Sequence, residues 1–592
     1  KEVPVEAERG NILAEDGSML ATSMPFFDIS FDPNSSAIDS VEWSRNLDSL
    51  AYCIATFVNP EYTPGGMRDF LLQQKQLGKR FVPIARNATL AEKQMIEKFP
   101  LFRLGRFKGG LIIEQKYKRE RPFGLLANRT IGYISGDTIK VGLEGYFNDV
   151  LKGEEGTQLM YKVGGGSWIP LENLSKIQPD PGKDLLTTID VNLQDITENA
   201  LAKAMMKHKA EYGVAVLMEV KTGAIRAISN LGWTRDGQLW ETYNYAIGAA
   251  TEPGSTFKLA SMLALLEDGY VNLEDSVDLE QGRTLYFDAE LQDAHEHTHN
   301  NVTVKQAFEM SSNVGISKLV QHFYGENNKA DKYTARLKDF FLDRPTGIEI
   351  LGEPEPYIKT PYSTEDDWSG TTLPWMSIGY ELTITPLQLL SFYNAVANDG
   401  IWVKPYLAEE VQRYGETIRR FPVKQVKGRI ASKEAIRQAQ QLLEGVVENE
   451  WGTAYKLRSS WYRFAGKTGT AQVGYQRLDN KTQIKGYQAS FAGYFPAEDP
   501  VYSCIVLLSK PKEGGFYGGQ SGSDDNSGAG GGSSYYGGNA NYTVTDASTE
   551  IGGYGSGQSY STGGSASQYW SADVGNSSRS SRGGDGKVVI VY

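Results

Sequence analysis

Residues 251–258 read TEPGSTFK and set a hydroxyl, Ser255, three positions before an amine, Lys258. On a helix, residues three apart share a face, so the two side chains can meet. A serine hydroxyl is a poor nucleophile until a neighbouring base takes its proton. A lysine can be that base only where burial or a second positive charge makes its ammonium give up a proton. The run STFKLASMLALLEDG predicts a helix with a mostly apolar face, closed by Gly269. Ser255 then lies at or just before the first turn, where free N–H groups favour a developing oxyanion. Pro253 fixes the approach of the chain, and Gly254 leaves room for a substrate backbone. The chemistry would be acyl transfer through a covalent serine intermediate. Taken alone, the tetrad reads as an N-cap serine and a solvated lysine, because such spacings arise by chance in long chains.

Two further segments change that reading. MSSNVG places Ser311 and Asn313 between two helical patterns, where a connection can project a hydroxyl and an amide into a cleft. AGKTGTAQ opens a strand with Lys467, Thr468, Gly469 and Thr470. Gly469 would let a ligand lie against the strand edge, Lys467 brings positive charge, and the threonines bring hydroxyls. A second KTG at 221–223 sits in the tight loop of a hairpin and reads as a turn. HEHTH places His295, His297 and His299 at period two, a spacing that could hold zinc. It lies in a polar run with no strand pattern, so a solvated loop near the cleft is expected, with no metal and no cofactor.

These side chains must be carried by a sizeable scaffold. With 592 residues, several domains of ordinary size fit. RGNILAEDGSMLATS predicts two short extended runs around the Asp16-Gly17 turn. TLAEKQMIEKF and GYFNDVLKGEEG read as helices, the second ended by Gly153. At DLLTTIDVNLQDITENALAKAMMKH an extended run leads to Asp190 and then a helix. YGVAVLMEV and GAIRAISN predict a hairpin that begins a second, larger domain, helical patterns dominate from 255 to 450, and three strands close it: FAGKTGTAQV, YQASFAGYF and VYSCIVLLS. Helices between two groups of strands suggest one sheet whose edges come from both ends of the domain. The fold class expected is multidomain α+β/α/β. From Gly514 the chain is rich in Gly, Ser and Tyr, too poor in apolar surface to offset its conformational entropy, so disorder is expected over 514–592.

A formal net charge of −12 argues against a dedicated nucleic-acid binder. Two cysteines, Cys53 and Cys504, exclude a disulfide framework, and Cys504 reads as a buried, inert thiol. No apolar run is long enough to span a bilayer. The chain starts at Lys1 inside a patterned segment, so an upstream piece is expected, on which a signal or anchor could lie.

In this order, S-x-x-K, S-x-N and K-T-G resemble the motif set of the penicillin-recognising serine acyltransferases. Over residues 1–513 the chain resembles a class B penicillin-binding protein. RGNILAEDG and GLEGYFNDVLKG are similar to motifs of that family's non-catalytic pedestal, and TTIDVNLQ and TPLQLL also fit. The EPGST spelling looks more like the division type than the elongation type. The resemblance implies a dimerisation-type pedestal at 1–185 and a transpeptidase domain at 186–513, an antiparallel sheet flanked by helices. It implies that Ser255 attacks the carbonyl between two D-alanines of a peptidoglycan stem peptide, and that β-lactams acylate the same serine. Lys258 would be the general base, Ser311 a proton relay, and Asn313 a holder of substrate amide and Lys258. Lys467 would favour neutral Lys258, Thr468 and Thr470 would bind the terminal carboxylate, and the N–H groups of Ser255 and Thr470 would form the oxyanion hole. It further implies an extracytoplasmic (periplasmic) enzyme anchored by an N-terminal helix, partnered by a membrane glycan polymerase of the division complex.

Two features depart from the family. IGYELTITPLQ stands where a glycine-rich stretch is usual, and a Gly/Ser-rich tail replaces the expected C-terminal helix, which would leave one sheet face less covered. Two other readings compete. A β-lactamase-type hydrolase would need a deacylating base; no Glu–Leu–Asn element lies between the second and third motifs, and Asn313 stands where a class D enzyme usually has Val. A non-enzymatic penicillin-binding scaffold of the wall-synthesis complex would not need all three motifs intact.

Overall fold

The computed structural model describes residues 2–512 except 137, 163–167, 171–175, 295–298, 363–367, 427 and 474–485. The turn at Asp16-Gly17 forms as expected: β1 (Ile12–Leu13) pairs antiparallel with β2 (Met19–Phe31), and Gly17 takes a φ of 84°. α1 (Ser40–Phe57) starts where the Asp39 side chain accepts the Val41 N–H. Its buried Trp43, Leu47, Leu50 and Ile54 recur every three or four residues and pack on Phe27, Ile29 and Phe31 of β2. α2 (Pro64–Gln76) adds Met67 and Leu71 to that core. β3 (Val82–Ala88) and β4 (Leu111–Glu120) both pair with β2. The helix expected in TLAEKQMIEKF is α3 (Leu90–Ile96), closed at its start by a Thr89–Glu92 capping box.

The segment GYFNDVLKGEEG is not one helix. The chain forms two short ones, Gly142–Tyr146 and Asn148–Leu151, broken at Phe147, with Gly153 at φ 67° just beyond. Glu144, in the first of them, is 3% exposed and ion-paired to Arg9 at 2.6 Å and Arg119 at 2.7 Å. Arg9 and Glu144 thereby join the two pedestal motifs.

β5 (Asp184–Thr187) runs parallel to β1. Asp190 then caps α4 (Val191–His208) by accepting the N–H groups of Asn192 and Leu193. The hairpin of β6 (Tyr212–Glu219) and β7 (Ile225–Trp233) forms, and its KTG is a turn with Gly223 at φ 80°. β8 (Leu239–Trp240) extends it. α5 (Lys258–Glu267) is buried all round from Lys258 to Leu266, as befits a nearly continuous apolar run. β9 (Ala289–Gln292) pairs with Arg283–Tyr286. α6 (Val304–Glu309) and α7 (Asn313–Val320) flank the Ser311 turn. TPLQLL opens α8 (Pro386–Ala397) with a Thr385–Gln388 capping box and Pro386 in the first turn. β10 (Ala408–Arg413) and β11 (Glu416–Arg420) return to the pedestal, where β10 pairs with β5. The pedestal sheet therefore runs β11-β10-β5-β1-β2-β3 and takes two strands from far beyond residue 185.

α9 (Lys433–Glu448) precedes the last three strands, β12 (Ala465–Gln472), β13 (Tyr487–Phe495) and β14 (Tyr502–Ser509). The catalytic-side sheet is antiparallel, in the order β8-β7-β6-β14-β13-β12. Its edges come from the two ends of the domain, and the two groups of strands join at β6 and β14. Leu201, Ala204 and Met205 of α4 cover one face at Ala215, Leu231, Val506 and Leu508. On the other, α8 reaches the sheet through Asn394, whose amide oxygen accepts from Ser503 at 2.7 Å. Cys504 packs on the main core, and burial pushes its thiol up to about 12. The tail at 514–592 and the C-terminal helix it was expected to replace lie outside the described residues. Among those described, no helix is long and apolar enough to cross a membrane.

Candidate active site

Ser255 stands in a single 3-10 turn, Gly254–Phe257, that runs directly into α5. The backbone at Gly254 has φ 58°, which a side chain disfavours. A Cβ there would stand 2.6 Å from the Thr470 carbonyl oxygen. Gly254 donates its N–H to the Gly379 carbonyl at 3.1 Å, and a Cβ on Gly379 would stand 2.2 Å from the Gly254 oxygen. The room at Gly254 is thus taken by the β12 edge and by Gly379, not by a substrate backbone as expected.

Three segments converge beside this turn. The Lys258 Nζ donates to the Ser311 carbonyl at 2.6 Å, to the Asn313 Oδ1 at 2.7 Å and to the Ser311 Oγ at 3.2 Å. The Lys467 Nζ donates to the same Ser311 Oγ at 2.8 Å and to the Thr468 carbonyl at 3.0 Å. Ser311 reaches both amines from left-handed backbone, φ 61°, between α6 and α7. Both lysines are fully buried, so neither ammonium keeps its water. Burial brings Lys258 down to about 7, and the Asp293 carboxylate opposes that shift. Lys467 is held well below the ordinary lysine range by burial and by repulsion from Lys258. Ser255 is 1% exposed, and its Oγ has no hydrogen-bond partner among the described residues. The Ser255–Lys258 contact expected from the three-residue step is one turn of helix, not a formed hydrogen bond.

β12 presents an open edge to the turn. In an antiparallel strand, alternate residues direct their backbone groups to one side. On the outer side the Gln472 N–H meets the Tyr380 hydroxyl at 3.2 Å, the Thr468 carbonyl meets Lys467, and the Thr470 carbonyl lies against Gly254. Thr470, the second expected oxyanion donor, therefore faces the Ser255 turn. The Thr468 hydroxyl is paired at 2.7 Å with Thr453. Gly469 has a different role from the one expected: a Cβ would stand 2.6 Å from the Ser490 Oγ and 2.8 Å from the Thr256 Cγ2, so the missing side chain admits protein, not ligand. The IGYE departure also acquires a physical role. Tyr380 holds the β12 edge, while Glu381, at φ 60°, pairs with Lys359.

Asp293 is the residue sequence reasoning missed. It follows β9 and accepts from the Ser312 Oγ at 2.7 Å, the Val314 N–H at 2.9 Å and the Asn313 N–H. The neighbouring Gln292 carbonyl accepts from the Asn313 Nδ2 at 2.7 Å. These bonds set the start of α7 and the side chain of Asn313. Asp293→Asn removes the charge that opposes loss of the Lys258 proton. The rising limb of the pH–acylation profile should then move to lower pH, with about 1–2 kcal/mol lost in stability from the weakened cap. Acylation rates from pH 5 to 9 and a urea titration check both signs. His295 and His297 lie outside the described residues, and among those described no group of three or more His, Cys, Asp or Glu could hold a metal ion.

A hydroxyl beside a partly neutral amine, a second hydroxyl shared by two amines and an open strand edge suit acyl transfer through serine. Comparison with known proteins agrees. Residues 213–524 match the penicillin binding protein transpeptidase domain, and residues 4–187 match the penicillin-binding protein dimerisation domain. Stage V sporulation protein D of Bacillus subtilis is 27% identical over 86% of this chain and 76% of its own length. Peptidoglycan D,D-transpeptidase FtsI of Escherichia coli K12 is 29% identical over 74% of this chain and 69% of its own. The crystal structure of penicillin binding protein 2X from Streptococcus thermophilus superposes with a TM-score of 0.74 at 23% identity, over 86% of this chain and 77% of that one. The chain belongs to the penicillin-binding protein transpeptidases, with the family's dimerisation pedestal, and is a serine acyltransferase that cross-links peptidoglycan and is acted on by β-lactams.

Proposed function

We propose that Ser255 is the acylated nucleophile of a D,D-transpeptidase whose base is Lys258. The Ser255 Oγ bonds to the carbonyl carbon between two D-alanines while its proton passes to the Lys258 Nζ. The N–H groups of Ser255 and Thr470 receive the oxyanion; losing one such donor typically costs about 10²–10³ in rate. The C–N bond then breaks, and the proton reaches the leaving nitrogen through the Ser311 Oγ. An amine of a second stem peptide attacks the acyl-enzyme, and the Ser255 oxygen leaves and regains a proton. Thr468 and Thr470 take the terminal carboxylate. That carboxylate favours protonated Lys467, whose charge in turn favours neutral Lys258.

The observation that carries this reading is the sharing of one Ser311 hydroxyl by two buried amines, 53 and 156 residues away in sequence. Residues 1–185 act as pedestal and 186–513 as the catalytic unit, with β10 and β11 tying the two together. The similarity to FtsI supports a division role at the extracytoplasmic (periplasmic) face of the membrane, an N-terminal anchor and a membrane glycan polymerase as partner. Intact-mass measurement after a penicillin pulse tests the assignment. The wild type should carry one adduct lasting many minutes and Ser255→Ala none. An adduct on Ser255→Ala would remove Ser255 from the role, and an adduct released within seconds would make the protein a hydrolase.

A further inference from the structure

Resting on the reading that Thr468 binds the substrate carboxylate, we propose that Thr453 and Glu309 are positioning residues that aim the Thr468 hydroxyl at that carboxylate. Thr468 has one hydroxyl proton. To bind an anion it must donate that proton outward, and its lone pair must then be met by another donor. The Thr453 Oγ1, 2.7 Å away, is that donor. In the opposite orientation Thr468 spends its proton on Thr453 and offers only lone pairs to an anion, which repels it.

Thr453 sits on the connection between α9 and β12, where free movement would blur its aim. Glu309 prevents that. It lies two residues before Ser311 and is fully buried. Its carboxylate accepts from the Asn449 Nδ2 at 2.8 Å and the Trp451 Nε1 at 2.7 Å, and its carbonyl accepts the Thr453 N–H at 3.1 Å. A Cβ on Gly445 would stand 1.9 Å from the Glu309 Oε1, so α9 is shaped to receive the carboxylate. The clamp thus ties the end of α6, which leads into the Ser311 turn, to the loop that orients the carboxylate-binding hydroxyl.

The test is a ratio of acylation rate constants: benzylpenicillin over its methyl ester, which lacks the anionic carboxylate. Thr453→Val should lower that ratio about tenfold, the order expected for one charge-assisted hydrogen bond, with the ester rate nearly unchanged. Thr453→Ser, which keeps the hydroxyl, should restore it. Glu309→Gln should lower the ratio in the same direction, because an amide nitrogen then faces one of two donors; a melting curve shows whether that variant is folded, and Thr453→Val carries the test if it is not. A ratio in Thr453→Val within twofold of wild type, beside a collapsed ratio in Thr468→Val, would overturn the inference and leave the Thr468 reading standing. An unchanged ratio in Thr468→Val would overturn both.

Discussion

Lys258→Met should leave a folded protein that benzylpenicillin acylates at least about a thousand times more slowly than wild type, with no rising limb in its pH profile below 7. Methionine nearly matches lysine in shape and is content in the buried position. It cannot take the Ser255 proton. The proposed base is half neutral near pH 7, because burial brings Lys258 to about 7. Below that value each pH unit should cost the wild type about tenfold in acylation. The Met variant has no such group, so its residual rate should be flat from pH 5 to 7. An unchanged limb in the variant would move the base elsewhere, Lys467 being the first candidate.

The same shift has a stability consequence of opposite appearance. Between pH 7 and the ordinary lysine value of 10.5, the unfolded chain holds a proton that folded Lys258 has lost. Stability therefore rises with pH across that window, by an amount on the order of 5 kcal/mol in full, and is flat below it. Lys467 acts in the same direction. The buried lysines cost the fold stability at neutral pH. Urea midpoints of wild type and Lys258→Met at pH 7 and pH 9.5 should converge as pH rises.

What could be read from the chain before its fold was known followed from local spacing. Ser255 and Lys258 share a turn, Ser311 lies between two helical patterns, and Lys467 opens a strand of alternating faces; each of these is a property of a few consecutive residues. That one sheet draws its edges from both ends of the domain also followed, because strands grouped on either side of the helices suggest a single sheet. What was not legible depends on contacts across the sequence. Asp293 is about twenty residues from the helix it caps, inside a polar stretch where the histidines draw attention. Thr453 and Glu309 carry no periodic signal. β10 and β11 join the pedestal sheet through pairing with β5, more than two hundred residues away, and nothing within 408–420 announces that partner. Gly254 and Gly469 stand out in the sequence as places of close approach, but spacing could not say that protein, not ligand, fills the space.

Gly254→Ala should cost about 2–4 kcal/mol and slow penicillin acylation by about 10²-fold or more. The left-handed backbone at φ 58° alone costs about 1–2 kcal/mol for a residue with a Cβ. The new carbon would also stand 2.6 Å from the Thr470 oxygen and 2.8 Å from the Ala471 Cβ. Backbone atoms have no rotamer to yield, so turn and strand must part. The turn cannot retreat freely either, because Gly379 already lies against the Gly254 oxygen. A shift of about 1 Å between Ser255 and Thr470 separates the proposed nucleophile from its proposed oxyanion donor, which is enough for the loss in rate. Gly17→Ala supplies the control. Gly17 has φ 84°, but a Cβ there would meet nothing within 4 Å, so it should lose about 1 kcal/mol through backbone strain and keep its acylation rate. Equal rates in the two variants would mean that the contact between turn and strand does not hold the nucleophile in place.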